Sequence, residues 1–376
     1  MHTCGGRSIP VLVALMSFVL GCSTAAPAPS TSAPPLSAPT SAPAAATVAP
    51  TAAAPVATTV ASGTSTIKIG LVAGTGATPI YVAQGRGYYQ KQGLDVQFVT
   101  VSSGAELLPL MASNQLDGGI SSPAAALFNA VATNVALKVV ADAGKQEPGA
   151  WWGGLVVRPE LLDSGTIKTA ADLKGKTIAV TAPGVGTYMN TVSLLEANGL
   201  TDKDANITFL NFADMLSALA SGKIDSADMV EPSITQGEAN RVLKRWVSNA
   251  EIAPGEQEAV LMITPQLAAN QDVANRFILA YVQGLHDYRA AFGPEKTDQS
   301  TVIGSVMPML PTSYNADLVS KVKPLALDPD GLVNADSLKH QQDWYMQHGF
   351  IKTAADIDKV VDNSFVERAK TSLASH

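Results

Sequence analysis

The sequence predicts an α/β protein with two similar lobes and a largely helical C-terminal region. Three observations support this prediction. Strand-like and helix-like segments alternate from residue 67 onward, which is typical of α/β architecture. Two stretches, beginning at Ile67 and Lys176, follow the same plan of strand, glycine-rich loop and helix. Residues 268–374 have mostly helical periodicity.

Composition limits the classes of function. The chain has 376 residues, of which 46% are hydrophobic and 15% charged, and its net charge is -7. The length fits two domains or one large one, and the apolar fraction excludes wholesale disorder. The acidic balance argues against nucleic-acid binding, which needs a basic surface. With two cysteines, five histidines and no HExxH pair, we predict no metal site, no disulfide scaffold and no cofactor.

The N-terminus has the pattern of an export signal. Arg7 precedes an apolar run from Ile9 to Leu20, which would span about 18 Å as a helix, too short for a hydrocarbon core of about 30 Å. The run ends Val-Leu-Gly-Cys at Cys22, which resembles a bacterial lipobox. The resemblance implies that residues 1–21 are a lipoprotein signal peptide and that the Cys22 thiol is lipidated. The alternative is an ordinary secretory peptide with an incidental cysteine.

A low-complexity segment follows the signal. Residues 23–66 contain no charged side chain and consist almost entirely of Ala, Pro, Ser and Thr. Such a segment has too few large apolar groups to offset the entropy of ordering, and its prolines favour extended chain. We therefore predict that residues 22–66 form a lipidated cysteine and a disordered linker that holds a folded domain away from a membrane. An O-glycosylated stalk is the alternative.

The first folded unit is predicted to alternate strands and helices. Its segments are a strand over 67–73, a glycine-rich loop over 74–78, a helix from Pro79, a strand over 95–101 and a helix over 105–113. Gly93 follows the first helix, where a left-handed C-cap is needed. Gly85 and Gly87 are expected to lie within that helix and to have no functional meaning.

The second unit repeats this plan. Its segments are a strand over 176–182, a glycine-rich loop over 183–187, a helix that ends before Gly199, a strand over 206–212 and a helix over 213–221. The segments 111–117 and 219–225 share Ala, Ser and Asp in register. This repetition predicts two similar lobes, although unrelated βα units can share such features by chance.

The remaining sequence suggests that one lobe is inserted into the other. Further strands are predicted near 242–247 and 259–264, and amphipathic helices over 271–292 and 335–349. Further helical segments are thus predicted after the end of the second unit. We therefore predict a discontinuous lobe 1 over 67–155 and 257–376, and a lobe 2 over 156–256.

Several segments together resemble one family of transport proteins. They are IKIGLVAGTGATPIYVAQGRGYYQKQGLDVQFV, ADLKGKTIAVTAPGVGTYMNTVSLLEANGL, the run MVEP at 229–232 and HQQDWYMQHGFI. They look like the periplasmic solute-binding proteins of ABC importers, in the subfamily that handles nitrate, sulfonates, taurine and the thiamine pyrimidine precursor. The resemblance covers roughly 67–376. It implies a type 2 periplasmic-binding-protein fold, a monomer, a small polar organic ligand in an inter-lobe cleft and delivery to a membrane permease.

The loops at the carboxyl ends of the strands are the expected ligand site. Two of them run from glycine into a helix N-terminus, where free N–H groups favour an anion or a carbonyl-like acceptor. Hydroxyl and aromatic side chains nearby add polar and stacking contacts. The candidate ligand-binding residues are Thr75, Gly76, Thr78, Tyr81, Ser103, Ser122, Trp152, Gly184, Gly186, Thr187, Tyr188 and Glu231.

Each candidate also has a purely structural interpretation. The hydroxyl groups could cap helices, Tyr81 and Tyr188 could pack in the core, and the pair Trp151 and Trp152 could pack at a hinge. Glu231 could cap a helix or form a salt bridge. If Glu231 faces the cleft, it disfavours a dianion and favours a zwitterion or a polar heterocycle, because a carboxylate accepts from amines and amides.

The sequence contains no catalytic signature, neither G-x-S-x-G nor a phosphate-binding glycine loop. It also resembles the yeast-type pyrimidine synthase of the same fold, but it lacks that enzyme's cysteine-rich run, since no cysteine follows Cys22. The sequence therefore predicts an extracytoplasmic, lipid-anchored binding protein that is not an enzyme. The alternatives are a same-fold enzyme resembling chorismate dehydratase and a ligand-sensing lipoprotein.

Overall fold

The computed structural model describes residues 64–72, 78–101, 103–293, 296–310 and 314–375. The predicted signal peptide, the lipidated cysteine and nearly all of the predicted linker lie outside these residues. Within them, strands and helices alternate through the first two thirds, and helices predominate afterwards. The predicted α/β class with a helical C-terminal region is therefore confirmed.

Ten strands are formed within the described residues. They are β1 (Ser65–Val72), β2 (Leu94–Val101), β3 (Gly118–Ser121), β4 (Lys138–Lys145), β5 (Gly153–Val157), β6 (Thr177–Val180), β7 (Asn206–Phe209), β8 (Ser226–Val230), β9 (Lys244–Ser248) and β10 (Gln257–Ile263).

The α-helices of the same residues follow in chain order. They are α1 (Thr78–Gly85), α2 (Tyr88–Lys91), α3 (Gly104–Ala112), α4 (Ala125–Ala132), α5 (Pro159–Asp163), α6 (Gly186–Ala197), α7 (Phe212–Ala220), α8 (Ser233–Ala239), α9 (Asn249–Ile252), α10 (Pro265–Ala269), α11 (Gln271–Phe292), α12 (Gln299–Val306), α13 (Ala316–Lys321), α14 (Ala335–Gln347), α15 (Ile357–Val360) and α16 (Ser364–Ala374).

The described strands form two five-stranded sheets with the same topology. The first has the order β2-β1-β3-β10-β4 and the second the order β7-β6-β8-β5-β9. In the first sheet β1 pairs in parallel with β2 and β3, and β10 pairs antiparallel with β3 and β4. In the second, β6 pairs in parallel with β7 and β8, and β5 pairs antiparallel with β8 and β9. The internal repeat in the sequence thus corresponds to two sheets of one design.

The chain crosses between the sheets twice, over residues 146–152 and 249–256. The two crossing segments are hydrogen-bonded to each other. The Gln146 N–H donates to the Glu256 carbonyl at 2.7 Å, and the Gly255 N–H donates to the Gln146 carbonyl at 2.7 Å. Because the two crossing segments are paired, both would have to bend together if the halves moved.

Helix α11 organises the core beside the first sheet. Its 22 residues occupy the predicted range, and the Asn270 side chain caps it by accepting from the Val273 N–H. Buried residues such as Phe277 and Tyr281 join the core that also contains Ile67 and Ile69 of β1. The amphipathic pattern therefore predicted both the helix and its buried face, because the apolar side chains along one side of the helix pack against the sheet and are removed from water.

The structure corrects the expectation for Gly85 and Gly87. Helix α1 ends at Gly85, Gly87 has φ 71°, and α2 begins at Tyr88. A Cβ at Gly85 would lie 2.2 Å from the Ser305 carbonyl oxygen, so glycine is needed for close approach of the backbone. The segment is a packed break between two helices.

The predicted left-handed caps are present. Gly93 has φ 66° and Gly199 has φ 75°, so each takes the conformation for which glycine is favoured. No helix within the described residues is both long enough and apolar enough to cross a bilayer.

Candidate binding site

A cavity of about 400 Å³ lies between the two sheets. This volume is within the range of small-molecule sites. Its described lining comes from both halves of the chain and includes several residues that the sequence analysis did not consider. The lining residues are Val72, Ser103, Gly104, Ala105, Ser122, Ala124, Ala125, Ala126, Trp152, Thr181, Ala182, Pro183, Gly184, Val185, Gly186, Thr187, Phe212, Val230, Glu258 and Phe350.

Three helices begin at this cavity. Helix α3 begins after Ser103, α4 after Ala124 and α6 after Val185, and each of these preceding residues lines the cavity. The helices follow β2, β3 and β6, whose carboxyl ends therefore face the same space. The N–H groups and the dipole of a helix N-terminus favour an acceptor or an anion. The cavity is thus bordered by groups suited to bind the acceptor end of a solute.

The N-terminus of α6 has main-chain N–H groups that a ligand could use. The described residues supply no acceptor for the N–H groups of Gly186 and Thr187. The Thr187 hydroxyl accepts from the Thr181 N–H at 3.1 Å and shares a hydrogen bond with the Thr181 hydroxyl at 2.8 Å. That side chain therefore fixes the turn between β6 and α6, while the main-chain donors remain available.

Trp152 lies in the cavity wall and Trp151 does not. Trp152 is buried and packs with Val230 and Leu325. Trp151 points elsewhere and packs against the Arg245 guanidinium, whose carbon lies 5.1 Å from the centre of the indole. The chain bends at Trp152, just before β5, and of the two indoles this one reaches the cavity.

The structure brings six of the predicted site residues together at the cavity. They are Ser103, Ser122, Trp152, Gly184, Gly186 and Thr187. Thr75 and Gly76 lie outside the described residues. Thr78, the first residue of α1, is half-buried and does not line the cavity.

The two tyrosines pack in the fold instead. Tyr81 meets the edge of Phe98, with ring centres 5.3 Å apart. Tyr188 packs against Phe350 at 5.5 Å, and its hydroxyl donates to Asp202 at 3.1 Å. Burial and this hydrogen bond raise the pKa of Tyr188 to about 12. Neither tyrosine is among the described lining residues, so a role of either in ligand binding stays a prediction.

Glu231 also lies away from the cavity, contrary to expectation. Its buried carboxylate accepts from the Thr235 N–H at 3.0 Å, the Thr235 hydroxyl at 2.8 Å and the Lys323 N–H at 3.1 Å. The Arg245 guanidinium donates to it as well. These four donors explain its position, because a buried carboxylate needs them and finds them outside the cavity.

Glu258 is the acidic residue of the cavity, and the sequence analysis missed it. It is the second residue of β10, it is half-buried, and it accepts from the Gln146 side-chain amide. Burial, with a smaller contribution from the nearby Glu256 charge, raises the pKa of Glu258 to about 7. An acidic residue near the start of a largely apolar strand is a sequence signal that could have identified it.

A second acid lies near Glu258 on the other sheet. Asp228 in β8 is fully buried, and its Oδ1 accepts from the Asn249 amide at 3.3 Å. Its Oδ2 has no hydrogen-bond partner among the described residues. Burial, with a contribution from Glu258, raises the pKa of Asp228 well above its ordinary value. No Lys, Arg or His is among the described lining residues, so this region carries acidic groups without a compensating cation in the wall.

The two halves touch at the rim of the cavity. The Ala125 N–H of α4 donates to the Gly184 carbonyl at 3.0 Å. Further from the cavity, His348 Nε2 after α14 lies 2.9 Å from Glu196 Oε1 of α6. These contacts join elements that belong to different sheets, so the structure has the halves in mutual contact around an internal space.

Comparisons with known proteins agree with this architecture. The family model described as "NMT1/THI5 like" matches residues 75–291, more than half of the chain. A protein of Brachyspira hyodysenteriae named as an ABC transporter periplasmic binding protein is 28% identical over 187 residues, which are 47% of this chain and 52% of that relative. This chain therefore spans about half the length of that relative. A binding protein of Brucella abortus is 22% identical over 295 residues, 77% of this chain and 88% of that protein.

Solved structures share the fold at low identity. The alkanesulfonate-binding protein SsuA of Xanthomonas axonopodis pv. citri, bound to MOPS, has a TM-score of 0.63 and 17% identity, over 80% of this chain and 99% of that one. The nitrate-binding protein NrtA of Synechocystis PCC 6803 has a TM-score of 0.66 and 15% identity, over 83% of this chain and 89% of that one. At these identities the likeness concerns the periplasmic-binding-protein fold.

Proposed function

The chain belongs to the NMT1/THI5-like family, and from this membership we propose that it is the extracytoplasmic solute-binding component of an ABC importer. It binds a small polar organic solute, of sulfonate, taurine, nitrate or pyrimidine type, in the cavity and delivers it to a membrane permease. The observation that carries the proposal is the cavity of about 400 Å³ between two sheets of matching topology, where three helix N-termini meet. The binding-protein names of the relatives from Brachyspira and Brucella support it.

The architecture suits a protein that closes on its ligand. We assign residues 67–155 and 257–376 to lobe 1 and residues 156–256 to lobe 2. The two separate sheets support this division, except that all of β5 (Gly153–Val157) lies in the second sheet, which moves the first boundary into the crossing segment 146–152. The paired crossing segments at Gln146 and Gly255 form the hinge. A ligand that contacts both lobes favours the closed state by its differential contacts, and the closed state then presents both lobes to the permease.

Anchoring at Cys22 is a second part of the proposal. Lipidation of this residue would hold the protein at the outer side of the cell membrane, with residues 23–66 as the spacer. The test is a fatty-acid label and membrane fractionation of the full chain. We expect label in the wild type and none in Cys22→Ser, which should move to the soluble fraction. A Cys22→Ser protein that stays with the membrane would refute the anchor but not the binding function.

Solute binding is tested by calorimetry with sulfonates, taurine, nitrate and pyrimidines, together with small-angle scattering. We expect a dissociation constant below about 1 mM for at least one compound, and a smaller radius of gyration when it is bound. If no compound binds in this range and the radius is unchanged, the proposal fails.

Variants of the α6 turn locate the site. Gly186→Val should weaken binding more than it weakens folding, because a Cβ at Gly186 meets nothing within 4 Å and would project towards the cavity. Thr187→Ala should also weaken binding, with a loss of about 1 kcal/mol in folding from the hydrogen bonds to Thr181. Gly304→Val is the matched control, because Gly304 in α12 is equally unobstructed and far from the cavity lining. Equal affinity in a folded Gly186→Val protein would remove this loop from the site.

One observation favours a second function. A carboxyl group with a pKa of about 7 in a cavity, as in Glu258, is suited to general acid–base catalysis. An enzyme on the same scaffold is therefore the alternative. Turnover of a bound compound by purified protein, abolished in Glu258→Gln, would establish it. Recovery of the compound unchanged after long incubation would support the transport function.

A further inference from the structure

We propose that Glu258 determines which solutes the cavity accepts, by requiring an N–H donor on the ligand. The preferred ligand is then a neutral, zwitterionic or cationic nitrogen compound with an acceptor at its other end. Inorganic oxyanions and sulfonates that lack an amino group bind poorly. This inference rests on the proposed solute-binding function and specifies the chemistry of the same site.

The position of Glu258 in its strand is irregular. Its neighbour Gln257 is buried on the core side, where its amide donates to Asp142 and to the Gly144 carbonyl at 2.9 Å. Glu258 lies at a register shift between Gln257 and Ala259, where the pairing of β10 with β4 is irregular, and its side chain lines the cavity. This position beside the hinge at Gln146 is far along the chain from the glycine-rich loops.

Glu258 has capacity for another donor. A carboxylate can accept about four hydrogen bonds. The structure gives Glu258 one side-chain donor, the Gln146 amide, within the described residues. Because part of its surface is open to the cavity, a ligand N–H is the natural second donor. An amine or amidine would form the stronger, charge-assisted bond.

The surrounding charges favour such a ligand over an anion. Asp228 on β8 and Glu256 on the crossing segment interact electrostatically with Glu258. The neighbouring α14 contributes His340, which lies 3.4 Å from Glu256, and the phenol of Tyr345. The described cavity wall has no Lys, Arg or His. An anion beside Glu258 would add repulsion in a poorly solvated space, whereas an N–H donor compensates the carboxylate.

The opposite end of the ligand has a different environment. The free N–H groups of Gly186 and Thr187 begin the twelve-residue helix α6 and border the same cavity. They suit a carbonyl, a ring nitrogen or an acidic oxygen of the ligand. The cavity thus offers an acceptor at Glu258 and donors at α6, which selects a solute with both kinds of group.

The test uses pairs of compounds that differ in one amino group. They are 2-aminoethanesulfonate and ethanesulfonate, β-alanine and propionate, and 4-aminopyrimidine and pyrimidine, each measured by calorimetry at pH 8. For at least one pair we expect the amino compound to bind at least about tenfold more tightly, and Glu258→Gln to remove most of that preference. Glu160→Gln is the control, because Glu160 is exposed, pairs with Arg158 at 2.8 Å and does not line the cavity.

A pH titration of the wild type provides a test that does not depend on a variant's folding. For a cationic amino compound, affinity should rise about tenfold between pH 5 and pH 8 as Glu258 ionises, and Glu258→Gln should flatten this rise. Equal binding of amino and amino-free partners, or an unchanged preference in folded Glu258→Gln, would overturn the inference while leaving the binding function intact. If no compound of any pair binds and the radius of gyration does not change, the binding function itself fails and the inference with it.

Discussion

Two glutamates, Glu231 and Glu258, illustrate how the environment of a residue decides its role. Glu231 directly follows β8 and Glu258 lies in β10, and both strands bury apolar side chains. Glu231 is surrounded by four donors from Thr235, Arg245 and Lys323, which hold its charge in place. Glu258 has one donor and an open side towards the cavity. The first is therefore structural, and the second is available to a ligand.

Removing the Glu231 carboxylate should destabilise the fold. Glu231→Ala leaves the Arg245 guanidinium, whose side chain is 13% exposed, without its buried partner. Breaking a buried ion pair from one side costs about 3–5 kcal/mol. Denaturant unfolding measures the loss. Glu238→Ala is the control, because Glu238 pairs with the same guanidinium at 3.0 Å but is 41% exposed, and it should cost less than about 1 kcal/mol. Equal losses in the two variants would contradict the structural role of Glu231.

At the scale of elements, the packing of α1 against α11 depends on a glycine. Gly284 of α11 lies so close to α1 that an added Cβ would be 2.5 Å from the Pro79 carbonyl oxygen and 2.6 Å from the Ala83 nitrogen. This close approach fixes the position of α1 on α11. A glycine in mid-helix lowers helix propensity, and here close backbone packing explains its presence.

Gly284→Ala should therefore lower stability. The added methyl group forces α1 and α11 apart at a cost of about 1–3 kcal/mol, although alanine is the better helix former. Gly304→Ala in α12 is the matched control, because nothing lies within 4 Å of the added Cβ, and it should stabilise by about 0.5–1 kcal/mol. Denaturant midpoints give both values. A Gly284→Ala protein as stable as the wild type would mean that the two helices are not held at this distance.

At the scale of the whole molecule, buried acids link stability to pH. Asp142 accepts from the Asp328 N–H at 2.7 Å, from the Gly144 N–H at 2.8 Å and from the Gln257 amide, and so ties β4 to β10 and to the C-terminal region. Burial raises its pKa to about 6 from the ordinary value of 3.8. The folded state thus keeps a proton that the unfolded state loses, and the resulting stabilisation is complete below about pH 4 and is lost as pH rises through about 6.

Asp142→Asn should remove this pH dependence. The difference in unfolding free energy between wild type and variant should change by roughly 3 kcal/mol between pH 4 and pH 7, with the wild type losing stability as pH rises. Burial also raises the pKa of Glu256 and Glu258, whereas it lowers that of His286, and these contributions cancel in the difference. The variant should be less stable than the wild type at every pH, because the NH2 group of the introduced amide would lie against an N–H donor from which the Asp142 carboxylate accepts. If the unfolding free energies of wild type and variant changed with pH in parallel, the assignment of this pH dependence to Asp142 would be refuted.

The sequence by itself determined the α/β class, the two repeated units and the helix over 271–292. It also found the cavity loops at Ser103, Ser122 and Gly184–Thr187. These features depend on periodicity, on glycine and on helix starts, which act over a few residues of chain. They could be predicted because local sequence and tertiary structure favour the same conformation there.

Only the tertiary structure decided which side chains meet in the cavity. Glu258 is held by Gln146, 112 residues earlier in the chain. The Glu231 carboxylate is held away from the cavity partly by a hydrogen bond from the Lys323 N–H, 92 residues later in the chain. The wall contains Trp152, which packs with Val230, but not Trp151, which packs against Arg245. Local sequence patterns carry no information on such pairings. The position of a buried carboxylate depends on the hydrogen-bond donors that folding brings near it, and these can be distant in sequence.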